Sequence, residues 1–189
     1  LNEKPIIMGP SMGGLLAQMV GSRVPAEALV LLTPASPAGI NILKPSVVRA
    51  FLKTQLKWGF WRKPMRLAFK ESTYSMLQLL TPEEQREVYD KYVYESGRAA
   101  FEMGFWFLDR RKASRVDESE ITCPVLVIAG ALDRITPRSV VQKVAEKYRH
   151  VSTYKLFDNH SHWVVAEPGW EEIADYVSGW LEQVLPASK

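Results

Sequence analysis

Pro5-Ile-Ile-Met-Gly-Pro-Ser-Met-Gly-Gly-Leu-Leu-Ala-Gln-Met-Val20 is the stretch that decides the fold. It opens as an apolar run at residues 5–8, turns at Gly9-Pro10-Ser11, and continues as a helical pattern that stops near Gly21-Ser22. Strand, sharp turn, then helix puts Ser11 at an apex, which lifts its hydroxyl above the end of a sheet. Small residues two before and two after the serine, Gly9 and Gly13, let strand and helix pass closely without a Cβ clash. Pro10 suits the turn because its φ is already fixed, and it pushes Gly9 toward the extended conformation of a strand end.

Working outward, residues 28–33 (Ala-Leu-Val-Leu-Leu-Thr) form a second apolar run of the kind shown by parallel strands buried on both faces. Residues 12–21 between the two runs predict a crossover helix. The pattern returns after Cys123. Residues 124–129 (Pro-Val-Leu-Val-Ile-Ala) predict a buried strand and 130–135 (Gly-Ala-Leu-Asp-Arg-Ile) a loop. Thr136-Pro137 then predicts an N-cap and first-turn proline. Val140, Val141, Val144, Ala145 and Tyr148 follow as one apolar stripe. Residues 151–157 predict a further strand and 158–163 (Asp-Asn-His-Ser-His-Trp) a loop. A last helix, from about Trp170, carries Ile173, Val177, Trp180, Leu181 and Val184 on one face. Strands alternating with helices predict an α/β fold with about four parallel strands and flanking helices.

Residues 43–118 behave differently and show no convincing strand. Val47, Val48, Phe51, Leu52 and Leu56 make a helical stripe, and Thr81-Pro82-Glu83-Glu84 reads as a cap and first turn. Aromatics are dense here, among them Trp58, Phe60, Trp61, Phe69, Tyr89, Phe101, Phe105 and Trp106. The expectation is a helical lid inserted between two halves of an α/β core, 1–42 and 119–189. Most of its aromatics are expected in a core, with a handful lining a pocket.

The bulk numbers exclude several classes. With 47% apolar residues, a chain of 189 residues can bury a substantial core without staples. The formal charge of +3 is small and mixed along the chain, so a nucleic-acid footprint is not indicated. Cys123 is the single cysteine, so no intrachain disulfide forms; its expected role is packing, and the expected setting is cytoplasmic. No apolar run reaches the roughly 18 residues of a membrane span. The three histidines and one cysteine lack metal-ligand spacing, so neither metal nor cofactor is expected. Leu1-Asn-Glu-Lys4 carries no initiating Met and no signal-peptide profile, and the expectation is a chain entered in mid-fold.

A serine hydroxyl needs a base to take its proton, and that base needs an acid to orient it. On an open α/β sheet such groups come from loops at the carboxyl ends of strands. Asp133 lies in the loop after one predicted strand, and His160 and His162 lie in the loop after the next. Asp158 is a rival acid on the histidines' own loop, from which it would struggle to reach the ring. His150, beside Lys147 and Arg149, reads as a solvated surface residue.

Gly9-Pro-Ser-Met-Gly-Gly14, Gly130-Ala-Leu-Asp133-Arg-Ile-Thr-Pro137 and Ser161-His162-Trp163 with Glu167-Pro-Gly-Trp170 resemble three landmarks of the serine α/β-hydrolase superfamily. The closest likeness is to its lidded esterase and lipase-like members. The resemblance covers residues 5–42 and 119–185, and the order Ser, Asp, His matches. It implies Ser11 as nucleophile, Asp133 as acid, His162 rather than His160 as general base, and the Met12 backbone N–H as an oxyanion donor. The expected substrate is a small-molecule carboxylic ester, and the aromatic density of residues 43–118 favours apolar acyl or aryl groups. Family members also bring strands before the elbow and a loop that supplies a second oxyanion N–H. That loop is missing here, so weakened activity is expected. The elbow strand is expected at a sheet edge, pairing with a second copy or with a missing N-terminal segment. Two other readings stay open: a small-molecule-binding protein that keeps the triad, and an inactive truncated fragment.

Overall fold

Two strands account for the most continuous apolar runs in the chain. In the computed structural model, described for residues 4–185, β2 (Ala28–Leu32) and β5 (Val125–Gly130) are buried at every position. They lie at the centre of a parallel sheet whose other members are β1 (Ile6–Pro10) and β6 (Ser152–Phe157), in the order β1-β2-β5-β6. The expected outer limits at residues 1–3 and 186–189 lie outside the described range.

Because strand side chains alternate, the central strands feed two apolar layers. Leu29, Leu31, Val125, Val127 and Ala129 pack on one face. They meet Leu15 and Ala17 of α1 (Met12–Gly21) and the stripe Val140, Val141, Val144, Ala145 and Tyr148 of α6 (Arg138–Lys147). Ala28, Val30, Leu32, Leu126, Ile128 and Phe157 face the other way, against Ile173, Val177 and Trp180 of α7 (Trp170–Val184). Burial on both faces removes any polar alternation, which is why these strands read as plain apolar runs. Buried Gln18 bridges the first layer, taking a 2.8 Å hydrogen bond from the Tyr148 hydroxyl.

Helices fill the segment between β2 and β5: α2 (Pro45–Gln55), α3 (Phe69–Ser75), α4 (Pro82–Asp90) and α5 (Gly97–Gly104). Thr81 caps α4 as expected, with Glu84 completing a reciprocal capping box. Three expectations need correction. The segment does contain a strand pair, β3 (Pro64–Met65) against β4 (Glu95–Ser96), which is two residues long and leaves no periodicity to read. The inward face of α2 is Val47, Ala50 and Thr54, while Val48, Leu52 and Leu56 are exposed. Helical spacing is shared by both faces of a short apolar segment, so the stripe was ambiguous. The aromatics, finally, are not mostly core: Phe60 is buried, but Trp58 is 87% exposed, and the rings pack largely on one another.

β1 lies at the edge of the sheet, with Ile6 43% and Met8 50% exposed. Among the described residues no helix is long and apolar enough to cross a membrane.

Candidate active site

The carboxyl ends of β1, β2, β5 and β6 each deliver a piece of one cluster. After β1, Ser11 occupies φ 50°, ψ −120°, a conformation that L-residues rarely adopt and that costs about 1–3 kcal/mol. Its backbone is clamped: Ser11 N–H donates to Leu32 O at 2.9 Å, and Ala35 N–H donates to Ser11 O at 2.8 Å. Gly9 is required, because a Cβ there would strike the carbonyl carbon and oxygen of Gly13. Gly13 itself has room, its nearest obstacle being Pro10 Cδ at 3.4 Å. The close approach between strand and helix therefore depends on the first glycine of the pattern.

Asp133, in the turn after β5, is buried and accepts four hydrogen bonds. Oδ1 takes the backbone N–H of Ile135 (2.7 Å) and of Thr136 (2.8 Å). Oδ2 takes the Thr136 hydroxyl (2.7 Å) and faces His162 Nδ1 (2.8 Å). Burial by itself would push the carboxyl up. The neighbouring His162 imidazole and the hydrogen bonds from His162 and Thr136 outweigh it and hold Asp133 below the usual carboxylate value.

Thr136 departs from expectation. The cap position of α6 falls on Pro137, and Thr136 turns its hydroxyl to Asp133, also within 3.0 Å of Thr33 O. A carboxylate three residues back outcompetes the helix end for this threonine. Thr33, itself at φ 41°, donates its hydroxyl to His162 O at 3.3 Å, tying the end of β2 to the loop after β6.

His162 stands between the other two groups, with Nδ1 on Asp133 and Nε2 2.9 Å from Ser11 Oγ. An ionised Asp133 only accepts, so Nδ1 carries the ring proton and Nε2 is free to accept from the serine hydroxyl. His160, two residues earlier, is turned away: its Nδ1 lies 3.0 Å from Glu167 Oε1. Glu167 is 1% exposed and also accepts from the Ser161 backbone N–H (2.7 Å) and the Ser161 hydroxyl. It pins the loop that carries His162. Neither this hub nor the Thr136 contact was read from the sequence. The signal for Glu167 is its place at the head of the Glu167-Pro-Gly-Trp170 stretch, which gives no sign that its side chain folds back on the loop.

Asp158 is exposed and outside this network, and His150 is exposed beside Arg149. Cys123 packs at the rim of the core, where burial pushes its thiol up, away from thiolate chemistry. Among the described residues no group of three or more His, Cys, Asp or Glu side chains is placed to hold a metal.

A cavity of about 140 Å³ opens at Ser11 and Met12. Helices of the inserted segment roof it with Val47, Phe51, Phe60, Met103 and Phe105. Met12 lines this cavity, and its N–H, first of α1, has no intrahelical acceptor.

A lowered Asp133 pKa fixes the sign of an acid effect. The unfolded chain takes up this proton first as pH falls, so the stability Asp133 contributes is complete above its ordinary value of 3.8 and lost below it. Urea midpoints of the wild type and Asp133→Asn should differ by a constant amount above about pH 5 and converge in stronger acid. A gap that widens in acid would contradict the assignment.

Comparisons with known proteins agree with this architecture. A family model described as serine aminopeptidase, S33, matches residues 2–169. The monoacylglycerol lipase of Paleococcus ferrophilus is 22% identical, with 95% of this chain aligned to 68% of that one at a TM-score of 0.61. Polyneuridine aldehyde esterase is 14% identical, with 95% aligned to 72% at 0.65. A thermophilic esterase from Thermogutta terrifontis is 21% identical, with 97% aligned to 66% at 0.58. The chain thus spans about two thirds of the length of these structures, whose likeness shows the fold. None of the curated proteins compared matches it. On a family match that takes in most of its length, the chain belongs to the serine aminopeptidase S33 family of α/β-hydrolases.

Proposed function

We propose that the chain hydrolyses carboxylic esters through an acyl-enzyme, with Ser11 as nucleophile, His162 as general base and Asp133 as the acid that orients it. One observation carries the reading: the unbroken contact series Ser11 Oγ, His162 Nε2, His162 Nδ1, Asp133 Oδ2, whose Ser11 end lines an apolar cavity. Ser11 Oγ attacks the ester carbonyl as its proton passes to His162 Nε2. The oxyanion forms beside the Met12 N–H. Collapse breaks the ester bond, and the leaving alkoxide takes the proton from His162. Water then attacks the acyl group, giving its proton to His162, and Ser11 leaves with that proton restored. The esterase and lipase names of the structural neighbours point the same way.

The helical segment 43–118 acts as the lid of this site, and its Phe51, Phe60 and Phe105 side chains favour apolar substrates. Labelling with a fluorophosphonate tests the assembly: Ser11 Oγ bonds phosphorus, fluoride leaves, and His162 takes the proton. A chain that stays unlabelled sinks the proposal.

Among the described residues the β1 edge is unpaired, and such an edge is a template for pairing, a second copy of the chain being the occupant that a mass measurement reads. Light scattering at micromolar concentration is then expected to return a mass above 21.5 kDa. A dispersed monomer would show that this edge does not self-associate.

A further inference from the structure

The cavity beside Ser11 is almost entirely hydrocarbon, yet one polar atom in its wall has nothing to bond. Ser36 is 4% exposed, and its hydroxyl is buried with no hydrogen-bond partner among the described residues. The side-chain oxygens of Ser72, Thr73 and Gln78 share that condition, but none of those residues lines this cavity. The other hydroxyls at the chemical end are committed, Ser11 to His162 and Thr136 to Asp133. Ser36 also stands close to the reaction: Ala35, its neighbour in the chain, donates its N–H to the Ser11 carbonyl at 2.8 Å.

A buried hydroxyl without a partner is disfavoured unless something supplies one. A serine side chain has a single χ1, and one staggered step re-aims its oxygen without moving the backbone. Around it, Ile42, Val47, Phe51, Phe60 and Phe105 offer no acceptor through their side chains, Met103 offers only a weak thioether one, and Thr54 is the one further hydroxyl in the lining. An oxygen on a ligand entering this cavity would give Ser36 a partner.

We infer that Ser36 is the polar anchor of the substrate cavity, which is built for an ester bearing a second oxygen a few atoms from the scissile carbonyl. This inference rests on the ester-hydrolase reading for its substrate class. An oxo, hydroxyl or ether oxygen fits, because a serine hydroxyl both donates and accepts. A purely hydrocarbon ester fills the same apolar wall but leaves Ser36 unmatched. The Ser36 contact is therefore a discriminating one, whereas the aromatic contacts favour either substrate equally.

Two matched probe pairs read this contact without relying on turnover. The first is p-nitrophenyl levulinate against p-nitrophenyl valerate, which places the extra oxygen on the acyl side. The second is methoxyethyl caproate against butyl caproate, which places it on the alcohol side. Affinities are measured by calorimetry on Ser11→Ala, with and without Ser36→Ala. The expected result is that Ser36→Ala lowers the preference for the oxygen-bearing member of at least one pair by about 3- to 10-fold. The melting temperature of Ser36→Ala is expected to stay level or rise, because the lost hydroxyl had no partner in the free protein.

An unchanged preference in both pairs overturns the inference. So does a fall of several degrees in melting temperature, which would give the hydroxyl a structural partner, or an absence of binding by all four probes. Turnover of valerate and butyl caproate by the unsubstituted chain tests the hydrolase reading separately. Turnover without dependence on Ser36 removes the anchor alone. Ser36-dependent binding without turnover removes the hydrolase and keeps the pocket.

Discussion

Replacing Ser11 by alanine is expected to cut hydrolysis of p-nitrophenyl esters by about 10⁴- to 10⁶-fold, down to the background rate. On the proposed mechanism the three groups act as a unit. His162 Nε2 has its acceptor role defined by the Ser11 hydroxyl 2.9 Å away, and Asp133 is ionised and oriented to hold the other ring nitrogen. Without Ser11 Oγ there is no atom to carry the acyl group, and the remaining pair can only assist water. The same interdependence predicts that Ser11→Ala with His162→Ala falls no lower than Ser11→Ala alone, since groups in one relay are non-additive. His160→Ala belongs to a different network and should lose activity only through its effect on the loop. Rates measured across esters of rising acyl length make the comparison clean. A wild-type rate equal to that of Ser11→Ala on every ester would remove the catalytic assignment.

The parts of this molecule that are legible in its sequence are those in which one physical demand dominates. β2 and β5 must be apolar on both faces, so their positions follow from composition alone. The turn at Ser11 needs Gly9, because any Cβ there meets the Gly13 backbone, and that leaves a pattern in the letters. Asp133 and His162 each follow a strand end, so the topology brings them to Ser11 once the sheet is parallel. What is not legible lies where two demands compete for one residue. Thr136 before Pro137 has every local feature of a helix cap, and only the fold brings the buried Asp133 carboxylate and Thr33 carbonyl against its hydroxyl. His160 and His162 share a loop and a neighbourhood of polar residues. Their roles separate because Glu167, seven positions after the first, folds back onto it. The inward face of α2 depends on what covers it, which no periodicity within the helix contains.

Glu167 is where this tertiary dependence should have its largest effect on stability. Its side chain accepts from the Ser161 N–H and hydroxyl and pairs with His160 Nδ1, all within the buried loop that presents His162. Glu167→Ala would leave the Ser161 N–H and His160 Nδ1 without an acceptor and the Ser161 hydroxyl with only the Met76 carbonyl at 3.4 Å, each loss at about 1–3 kcal/mol, and the expected total is about 3–5 kcal/mol. For a chain of this size that corresponds to a fall of about 10–15 °C in melting temperature. Glu167→Gln keeps the volume and one acceptor oxygen, so it should lose about 1–2 kcal/mol. Activity measured well below the melting point should drop as well, because His162 directly follows the Ser161 backbone that Glu167 holds. The ordering of the two variants separates this account from simple loss of packing. A void would be relieved by either a glutamine or a hydrophobic residue of similar volume, whereas orphaned donors are relieved only by an acceptor. Glu167→Met, filling the space without an acceptor, should therefore resemble Glu167→Ala more closely than Glu167→Gln. A methionine variant as stable as the wild type would show that the loop is held by shape and that its hydrogen bonds are incidental.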